Sequence, residues 1–484
     1  MPKDEFEYHQ IKKLAGRGIT ALVSRTFLIQ IISFAAMATL TYILDPAIYG
    51  VFYLVSAVIN FLAYFSDIGL AAALVQKKAD LNDDDLSTTF TIQQGLVLLL
   101  LTILFLSTPF IRRTYGLDSA GVYLLWSLGI SLFLSSLKTV PSVLLERKIQ
   151  FEKLIIPQIG ETLVFNACLV YFAWKGYGLT TFTISVLARG IVGLVLMYLV
   201  APWKPRIKIS KNSLRHLLKF GLPYQLNSFL AVFKDDGMTI VLGKIIGSGG
   251  LGYLGWGSRW AGLPLRIFMD NVTKVAFPTF ARLQHNKEKL ITAIEQTLKY
   301  LALATFPVLI GMGFLAYPII LIIPNYTKWL PALIPLYIYL YNAAWACIST
   351  VLTNTLNALG KIKSTFKLML IWTGLTWGTM PILGIKFGYM GVAVAVGIIA
   401  TSSVLTLIMV YREVKVNFFR SLGKPLLINF IFGLYLFLTA KYIDSKLEIF
   451  ACIFLSIPIY AGLVYWLEGK DIYTKAISVL RPRV

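Results

Sequence analysis

The hydrophobic residues of this chain occur in long runs, separated by short polar stretches that often contain Gly or Pro. A helix needs roughly 20 mostly apolar residues to cross about 30 Å of hydrocarbon. By this measure the sequence predicts an all-α membrane protein with about fourteen transmembrane helices. The predicted spans lie near residues 18–43, 48–76, 87–110, 119–144, 154–174, 178–202, 217–243, 250–281, 292–323, 329–358, 364–385, 389–411, 423–440 and 448–467.

Composition supports this interpretation. Of the 484 residues, 57% are hydrophobic and only 14% are charged, whereas soluble chains contain about 45–50% apolar and about 25% charged residues. This balance excludes a water-soluble fold of the same length. The three cysteines lie far apart in apolar segments and the three histidines are scattered. We therefore expect no disulfide framework, no metal site and no cofactor.

The charge of the loops predicts how the helices are oriented. A net charge of +22 would suggest a nucleic-acid partner for a soluble protein, but cytoplasmic loops of membrane proteins are enriched in Lys and Arg. With fourteen spans, 29 basic residues fall in the tails and loops of one side and 8 in those of the other. We therefore expect both termini to be cytoplasmic and no nucleic acid to be bound.

Two short motifs suggest an internal repeat. The segment LDPAIYGVFYLVS (44–56) resembles IGSGGLGYLGWGS (246–258), with Gly50 aligned to Gly252 at an offset of about 202 residues. Chance similarity between apolar helix pairs is the alternative, but two repeats around a cavity are a common plan for transporters. The predicted domains are two pseudo-symmetric six-helix lobes (1–202 and 220–411), a basic cytoplasmic linker between them (203–219), and two further helices with a cytoplasmic tail (412–484).

Eight basic and five acidic side chains fall inside the predicted spans. A charge at the bilayer centre costs about 2.5–3.5 kcal/mol, so such residues should face a polar cavity or be paired. Lys138, Lys274 and Lys299 lie near span ends, and we expect them to extend to the headgroups. The excess of bases favours an anionic ligand, because guanidinium offers paired donors to phosphate. The candidate substrate-binding residues are Arg25, Arg189, Lys234, Arg259 and Arg266.

The acids of the spans have two open roles. They can neutralise neighbouring bases in internal salt bridges, or they can bind and release H⁺ or Na⁺ to drive a transport cycle. The sequence does not distinguish these roles. The residues concerned are Asp67, Glu161, Asp235, Asp236 and Asp270.

An enzymatic function is the weaker alternative. A membrane-embedded glycosyl- or phosphotransferase would need catalytic carboxylates or metal ligands clustered near the headgroups. The acidic cluster ADLNDDD (79–85) precedes a predicted helix, where acids more often cap the N-terminus. There is no P-loop sequence, so an ATP-driven pump is not indicated. We therefore expect a transporter and not an enzyme.

At this point the residues resemble a known family, the Wzx-type polysaccharide flippases of the PST branch of the multidrug/oligosaccharidyl-lipid/polysaccharide (MOP) exporter superfamily. The resemblance covers the first twelve predicted helices. It is carried by the segments DPAIYGVFYLVSAVINFLAYFSDIGLAAALVQKK (45–78), VPSVLLERKIQFEKL (140–154), LGKIIGSGGLGYLGWGSRWAGLPLRIF (242–268) and FPTFARL (277–283).

The resemblance implies two lobes that alternate between inward-open and outward-open states in a bacterial inner membrane. It implies a flippase for an undecaprenyl-pyrophosphate-linked oligosaccharide repeat unit, driven by a cation gradient and acting in O-antigen, capsule or exopolysaccharide biosynthesis. Arg25 in SRTF and Arg259 in GSRW best match the residues that hold the pyrophosphate. Membrane lipids, a polysaccharide polymerase and its chain-length machinery are the implied partners.

Two alternatives of the same superfamily stay open. A cation-coupled multidrug exporter of the MATE type would favour acids and aromatic residues in its cavity, whereas the spans of this chain contain more bases than acids. A lipid II flippase would carry a pyrophosphate-linked substrate of similar charge.

Overall fold

The computed structural model describes residues 28–469, in which every regular element is a helix. Several predicted spans consist of two helices in succession. The helices of the first half are α1 (Leu28–Ile43), α2 (Pro46–Ala63), α3 (Leu70–Gln76), α4 (Asp83–Tyr115), α5 (Ser119–Leu137), α6 (Thr139–Arg147), α7 (Phe151–Trp174) and α8 (Thr180–Val200). Those of the second half are α9 (Lys211–Val232), α10 (Met238–Pro264), α11 (Asp270–Leu283), α12 (Lys287–Ile322), α13 (Leu333–Ala358), α14 (Ile362–Ser402), α15 (Val404–Glu413), α16 (Phe418–Ala440) and α17 (Lys446–Glu468).

Ten of the helical segments in residues 28–469 are long and apolar enough to cross a membrane. The remaining predicted spans also lie on helices. The first is described only from Leu28, the seventh and eighth lie on the less apolar α9, α10 and α11, and the eleventh and twelfth share one helical segment, Ile362–Glu413. The prediction of an all-α, multi-pass membrane fold is therefore confirmed.

Glycines place the sharp bends inside the long helices. Gly247 in α10 has φ 67° and ψ 178°, and Gly388 in α14 has φ 61° and ψ −148°. Gly adopts positive φ without the steric penalty of a Cβ atom. Each bend divides one continuous helical segment into the two spans that the hydrophobic pattern predicts.

The described residues form two compact units, divided between Gly252 and Tyr253. In the first unit α9 packs against α3 and α4, and α7 packs against α8. In the second unit α12 packs against α13, α16 and α17. The predicted lobe boundaries at 202 and 220 differ from this division and stay a prediction.

Within the first unit, α2 runs antiparallel to the stretch from α9 to α10. Asn60 Nδ2 donates a hydrogen bond to Asp236 Oδ1 (3.4 Å), and one turn later Tyr64 and Gln225 exchange hydrogen bonds between side chains and backbone carbonyls. As residue numbers rise along α2, those of the contacted partners fall. This order shows that the two helical stretches pack antiparallel.

The two copies of the predicted repeat contact each other at the start of α2. A Cβ atom on Gly50 would overlap the carbonyl oxygen of Ser248, and one on Gly252 would overlap the carbonyl oxygen of Pro46. The offset of 202 that aligns Gly50 with Gly252 also aligns Pro46 with Ser248. The contact is therefore reciprocal, as expected for two motifs related by a pseudo-two-fold axis.

The acidic cluster at the start of α4 has a capping function. Asn82 Oδ1 accepts a hydrogen bond from the Asp85 backbone N–H (2.8 Å), and the Asp85 carboxylate accepts one from the Asn82 N–H (3.2 Å). This reciprocal arrangement is a capping box, which confirms the interpretation of the cluster as a helix cap. The neighbouring acids form exposed ion pairs with the basic linker, Arg206–Asp83 (2.7 Å) and Lys208–Asp84 (2.5 Å).

Candidate functional site

Three charged side chains from the fourth, fifth and sixth predicted spans meet inside the first unit. Lys138 follows the last residue of α5 and forms an ion pair with Glu161 of α7. Arg189 of α8 also approaches this carboxylate, with its Nε 3.5 Å from Glu161 Oε2. The side chains of Lys138 and Glu161 are only 13% and 14% exposed, whereas that of Arg189 is 52% exposed. We call these residues the Glu161 cluster.

A glycine on α8 leaves the space that the Glu161 side chain occupies. A Cβ atom on Gly193 would overlap the carboxylate of Glu161, so the space that a side chain would fill is occupied by the acid. Arg189 lies one helical turn before Gly193 and therefore on the same face of α8. Its guanidinium lies over the ring of Phe165, 5.5 Å from the centroid. A glycine and a cation–π contact thus hold the two partners in register.

The Glu161 cluster opens into a cavity of about 650 Å³ within the first unit. Its walls come from α3, α6, α7 and α9 and from the ends of α5 and α8. The polar part of the wall includes the hydroxyls of Ser135 and Thr139 and the amide of Gln158, and the apolar part includes Val75 and Phe220. The cavity is therefore amphipathic.

Lys138 and Lys299, which we expect to extend to the headgroups, both have acidic partners in the structure. Lys138 belongs to the Glu161 cluster, and Lys299 of α12 forms an ion pair with Glu468 at the end of α17. Sequence reasoning missed Lys138 as a site residue because its partner lies on another helix. Only the packing of the helices shows that Glu161 lies next to Lys138.

The charges predicted in the seventh span form contacts of their own. Lys234 and Asp235 are paired (Nζ–Oδ1 2.6 Å), and Asp236 accepts the hydrogen bond from Asn60 of α2. All three lie in the π-helical turn Phe233–Gly237 between α9 and α10. This turn shifts the register of side chains by one residue, and such turns are frequent at functional sites.

Asp67 has a local structural contact. It lies between α2 and α3, next to the left-handed residues Ile68 (φ 46°) and Gly69 (φ 78°). Its carboxylate accepts the backbone N–H of Ala71 at 3.2 and 3.3 Å. The side chain therefore satisfies an N–H at the start of α3 that has no partner within the helix.

Two predicted arginines lie in the second unit without an acidic partner among residues 28–469. Arg259 is on α10, and Arg266 is in the π-helical turn Leu265–Met269 that follows Pro264. Both side chains are exposed, as is Asp270 at the start of α11. None of the three forms an ion pair within the described part of the chain. Arg25 lies outside the described residues.

The all-helical fold with many apolar spans is that of a multi-pass membrane protein. The chain belongs to the polysaccharide biosynthesis protein family, whose profile matches residues 39–334. This match confirms the resemblance to Wzx-type flippases.

Two curated relatives illustrate the family. The chain is 22% identical over 292 residues to the succinoglycan biosynthesis transport protein ExoT of Rhizobium meliloti (strain 1021), across 60% of this chain and 59% of that protein. It is 25% identical over 426 residues to the teichuronic acid biosynthesis protein TuaB of Bacillus subtilis (strain 168), across 83% of each. The match thus spans less than two thirds of the length of ExoT.

Among solved structures, the lipid II flippase MurJ in an inward closed conformation matches with a TM-score of 0.75 and 18% sequence identity. The match covers 94% of this chain and 99% of that one. At this identity the likeness establishes the fold. The family and the solved fold are those of transporters and not of catalytic enzymes.

Proposed function

We propose that the protein is a flippase that moves an undecaprenyl-pyrophosphate-linked oligosaccharide repeat unit from the cytoplasmic to the outer leaflet of a bacterial inner membrane. The observation that carries the proposal is the pair Arg259 and Arg266, two exposed arginines in a membrane segment without an ion-pair partner among residues 28–469. Unpaired charge within a membrane span is costly unless it serves a ligand or a water-filled path.

The chemistry of these residues suits a pyrophosphate. A guanidinium donates two parallel hydrogen bonds to phosphate oxygens and keeps its charge at all physiological pH values. Arg259 and Arg266 are seven residues apart, on either side of Pro264. Arg25, Lys234 and Arg189 stay predicted contacts of an anionic substrate.

Energy for the cycle would come from a gradient of H⁺ or Na⁺. Asp236 is the best supported coupling residue, because it is half-buried beside Asn60 and its neighbour Asp235 already pairs with Lys234. Glu161 and Asp67 have partners that favour a structural role, and Asp270 is exposed at the start of α11. In this proposal both termini are cytoplasmic, and a polymerase with its chain-length machinery consumes the flipped lipid on the outer side.

The test is a gene deletion followed by mass spectrometry of the lipid-linked intermediates. We expect an undecaprenyl-pyrophosphate oligosaccharide to accumulate on the cytoplasmic leaflet. Complementation with Arg259→Gln should fail to relieve the accumulation, whereas the matched change Arg282→Gln, at a predicted loop end, should restore export. Equal membrane levels of both variants exclude a folding defect.

Other outcomes of this experiment assign the alternatives. Accumulation of lipid II would indicate peptidoglycan precursor export. Unchanged lipid intermediates together with increased sensitivity to organic cations would indicate a multidrug exporter. Normal export by Arg259→Gln would refute the proposed pyrophosphate contact.

A further inference from the structure

The Glu161 cluster carries more positive charge than its carboxylate can neutralise. Lys138 and Arg189 both approach Glu161, so one acid serves two bases. Surplus charge is expensive in a low-dielectric interior, and it favours an additional anion. The other carboxylate on the cavity wall, Glu146, is exposed and accepts a hydrogen bond from Ser142 (3.4 Å), where solvent screens its charge.

The cavity has the size and lining of a ligand site. Its volume of about 650 Å³ lies within the range of about 300–1,000 Å³ that is usual for small-molecule pockets. Lys138 and the hydroxyls of Ser135 and Thr139 offer donors on one side, and Val75 and Phe220 offer an apolar surface on the other. A charged headgroup joined to a hydrocarbon chain matches both surfaces, whereas a free inorganic anion would leave the apolar surface unused.

We propose that this cavity binds the phosphate headgroup of an amphiphilic anion, and that Lys138 turns from Glu161 to the phosphate when the ligand enters. Arg189 stays with Glu161, so neither the carboxylate nor the ammonium is left unpaired. The shared chemistry is a lipid phosphate. Its source can be an anionic phospholipid of the membrane or a polyprenyl phosphate, and the inference does not depend on the cargo proposed above.

The test uses native mass spectrometry of the full-length protein, freed of lipid in neutral detergent. The probes are phosphatidylglycerol against diacylglycerol with the same chains, and undecaprenyl phosphate against undecaprenol. We expect the phosphate-bearing member of at least one pair to bind about tenfold more tightly than its phosphate-free partner, as charge-assisted hydrogen bonds to one phosphate would produce. The pair that shows the difference identifies the source.

Two single variants test the exchange of Lys138. Lys138→Gln should lose the preference for phosphate, whereas Glu161→Gln should strengthen it several-fold, because the ammonium then has no competing acid. Lys299→Gln is the matched control, a lysine that is also paired with a glutamate and does not line the cavity. It should bind the four lipids as the unaltered protein does.

A purely structural role for the pair gives a different pattern. Equal binding of phosphate-bearing and phosphate-free lipids, retention of the preference in Lys138→Gln, or weaker phosphate binding in Glu161→Gln would each overturn the proposal. If a single variant does not fold, the double variant Lys138→Gln/Glu161→Gln leaves no unpaired charge between these two positions. A double variant that folds and still prefers the phosphate-bearing lipid would also refute it.

Discussion

The lysine–glutamate pairs Lys138–Glu161 and Lys299–Glu468 each join membrane helices, and their surroundings differ. Lys138 and Glu161 are 13% and 14% exposed, share a second base in Arg189 and open into a cavity. Lys299 and Glu468 are 28% and 3% exposed and tie α12 to the last residue of α17. The first pair thus carries a surplus positive charge beside open space, and the second is a one-to-one pair in a packed helix end.

The comparison shows that an ion pair within the membrane does not define a ligand site by itself. The Lys299–Glu468 pair is accompanied by structural contacts: Lys424 Nζ donates to the Leu467 carbonyl (3.2 Å), and Tyr460 OH of α17 donates to the Leu303 carbonyl of α12 (2.8 Å). A base at a helix C-terminus satisfies carbonyls that have no partner within the helix. A surplus of charge and room for a ligand are what distinguish the Glu161 cluster.

The largest effect on stability is expected from breaking the more deeply buried acid. Glu468→Gln leaves Lys299 without its counter-charge, which should lower the free energy of unfolding by about 3 kcal/mol, the lower end of the cost of breaking a buried ion pair. Thermal unfolding of the purified protein measures the loss. Binding of phosphate lipids should not change.

The double variant Lys299→Gln/Glu468→Gln is the control for this prediction. It removes both charges and should recover most of the lost stability, because no charge remains without a partner. A double variant that is less stable than Glu468→Gln would mean that the single loss does not come from an unpaired Lys299.

The sequence predicts local features of the fold better than it predicts which charged residues form ion pairs. The positions of the spans, the glycine repeat and the helix cap at residues 79–85 all depend on residues close in sequence or on a simple hydrophobic pattern. Lys138 and Glu161 are 23 positions apart on different helices, and no periodicity links them. Their meeting depends on how α5 and α7 are placed in the fold, and the space for the Glu161 carboxylate depends on the missing Cβ atom of Gly193 in α8.

The candidate acids show the same limit. All five were predicted as either coupling residues or partners of bases, and the sequence could not separate the two roles. Packing of separate helices places Glu161 against two bases, whereas Asp235 and Asp67 have partners close in sequence, Lys234 and the Ala71 N–H. The side-chain directions in the π-helical turn Phe233–Gly237 could not be read from a regular helical period, because such a turn shifts the register.

An intermediate effect is expected from filling the space that holds Glu161. In Gly193→Ala the new methyl overlaps the carboxylate, so we expect a net loss of about 1–3 kcal/mol in the free energy of unfolding, as for other overpacked interiors. The preference for phosphate lipids should change with it, since the Lys138–Glu161 geometry is disturbed. The measurements are thermal unfolding and the lipid-binding series.

Gly374→Ala is the matched control, because Gly374 is also helical and a Cβ atom there meets nothing within 4 Å. It should be neutral or stabilising by up to about 1 kcal/mol, the difference in helix propensity between the two residues. Equal stability of Gly193→Ala and Gly374→Ala would show that α7 and α8 can separate at no cost, and that Gly193 does not set the position of Glu161.

The smallest effect on stability is expected for the exposed ion pairs between the linker and α4. They show how little an ion pair contributes when both side chains are in solvent. Arg206 and Asp83 are 66% and 73% exposed, so Arg206→Gln should cost less than about 1 kcal/mol in the free energy of unfolding. Added salt should remove even this difference, since exposed charges are screened over roughly 10 Å at 0.1 M. Unfolding at low and high salt measures it. If Arg206→Gln destabilised the protein as much as Glu468→Gln at both salt concentrations, the exposure of a pair would not determine its contribution to stability, and the contrast between the two membrane pairs would need another cause.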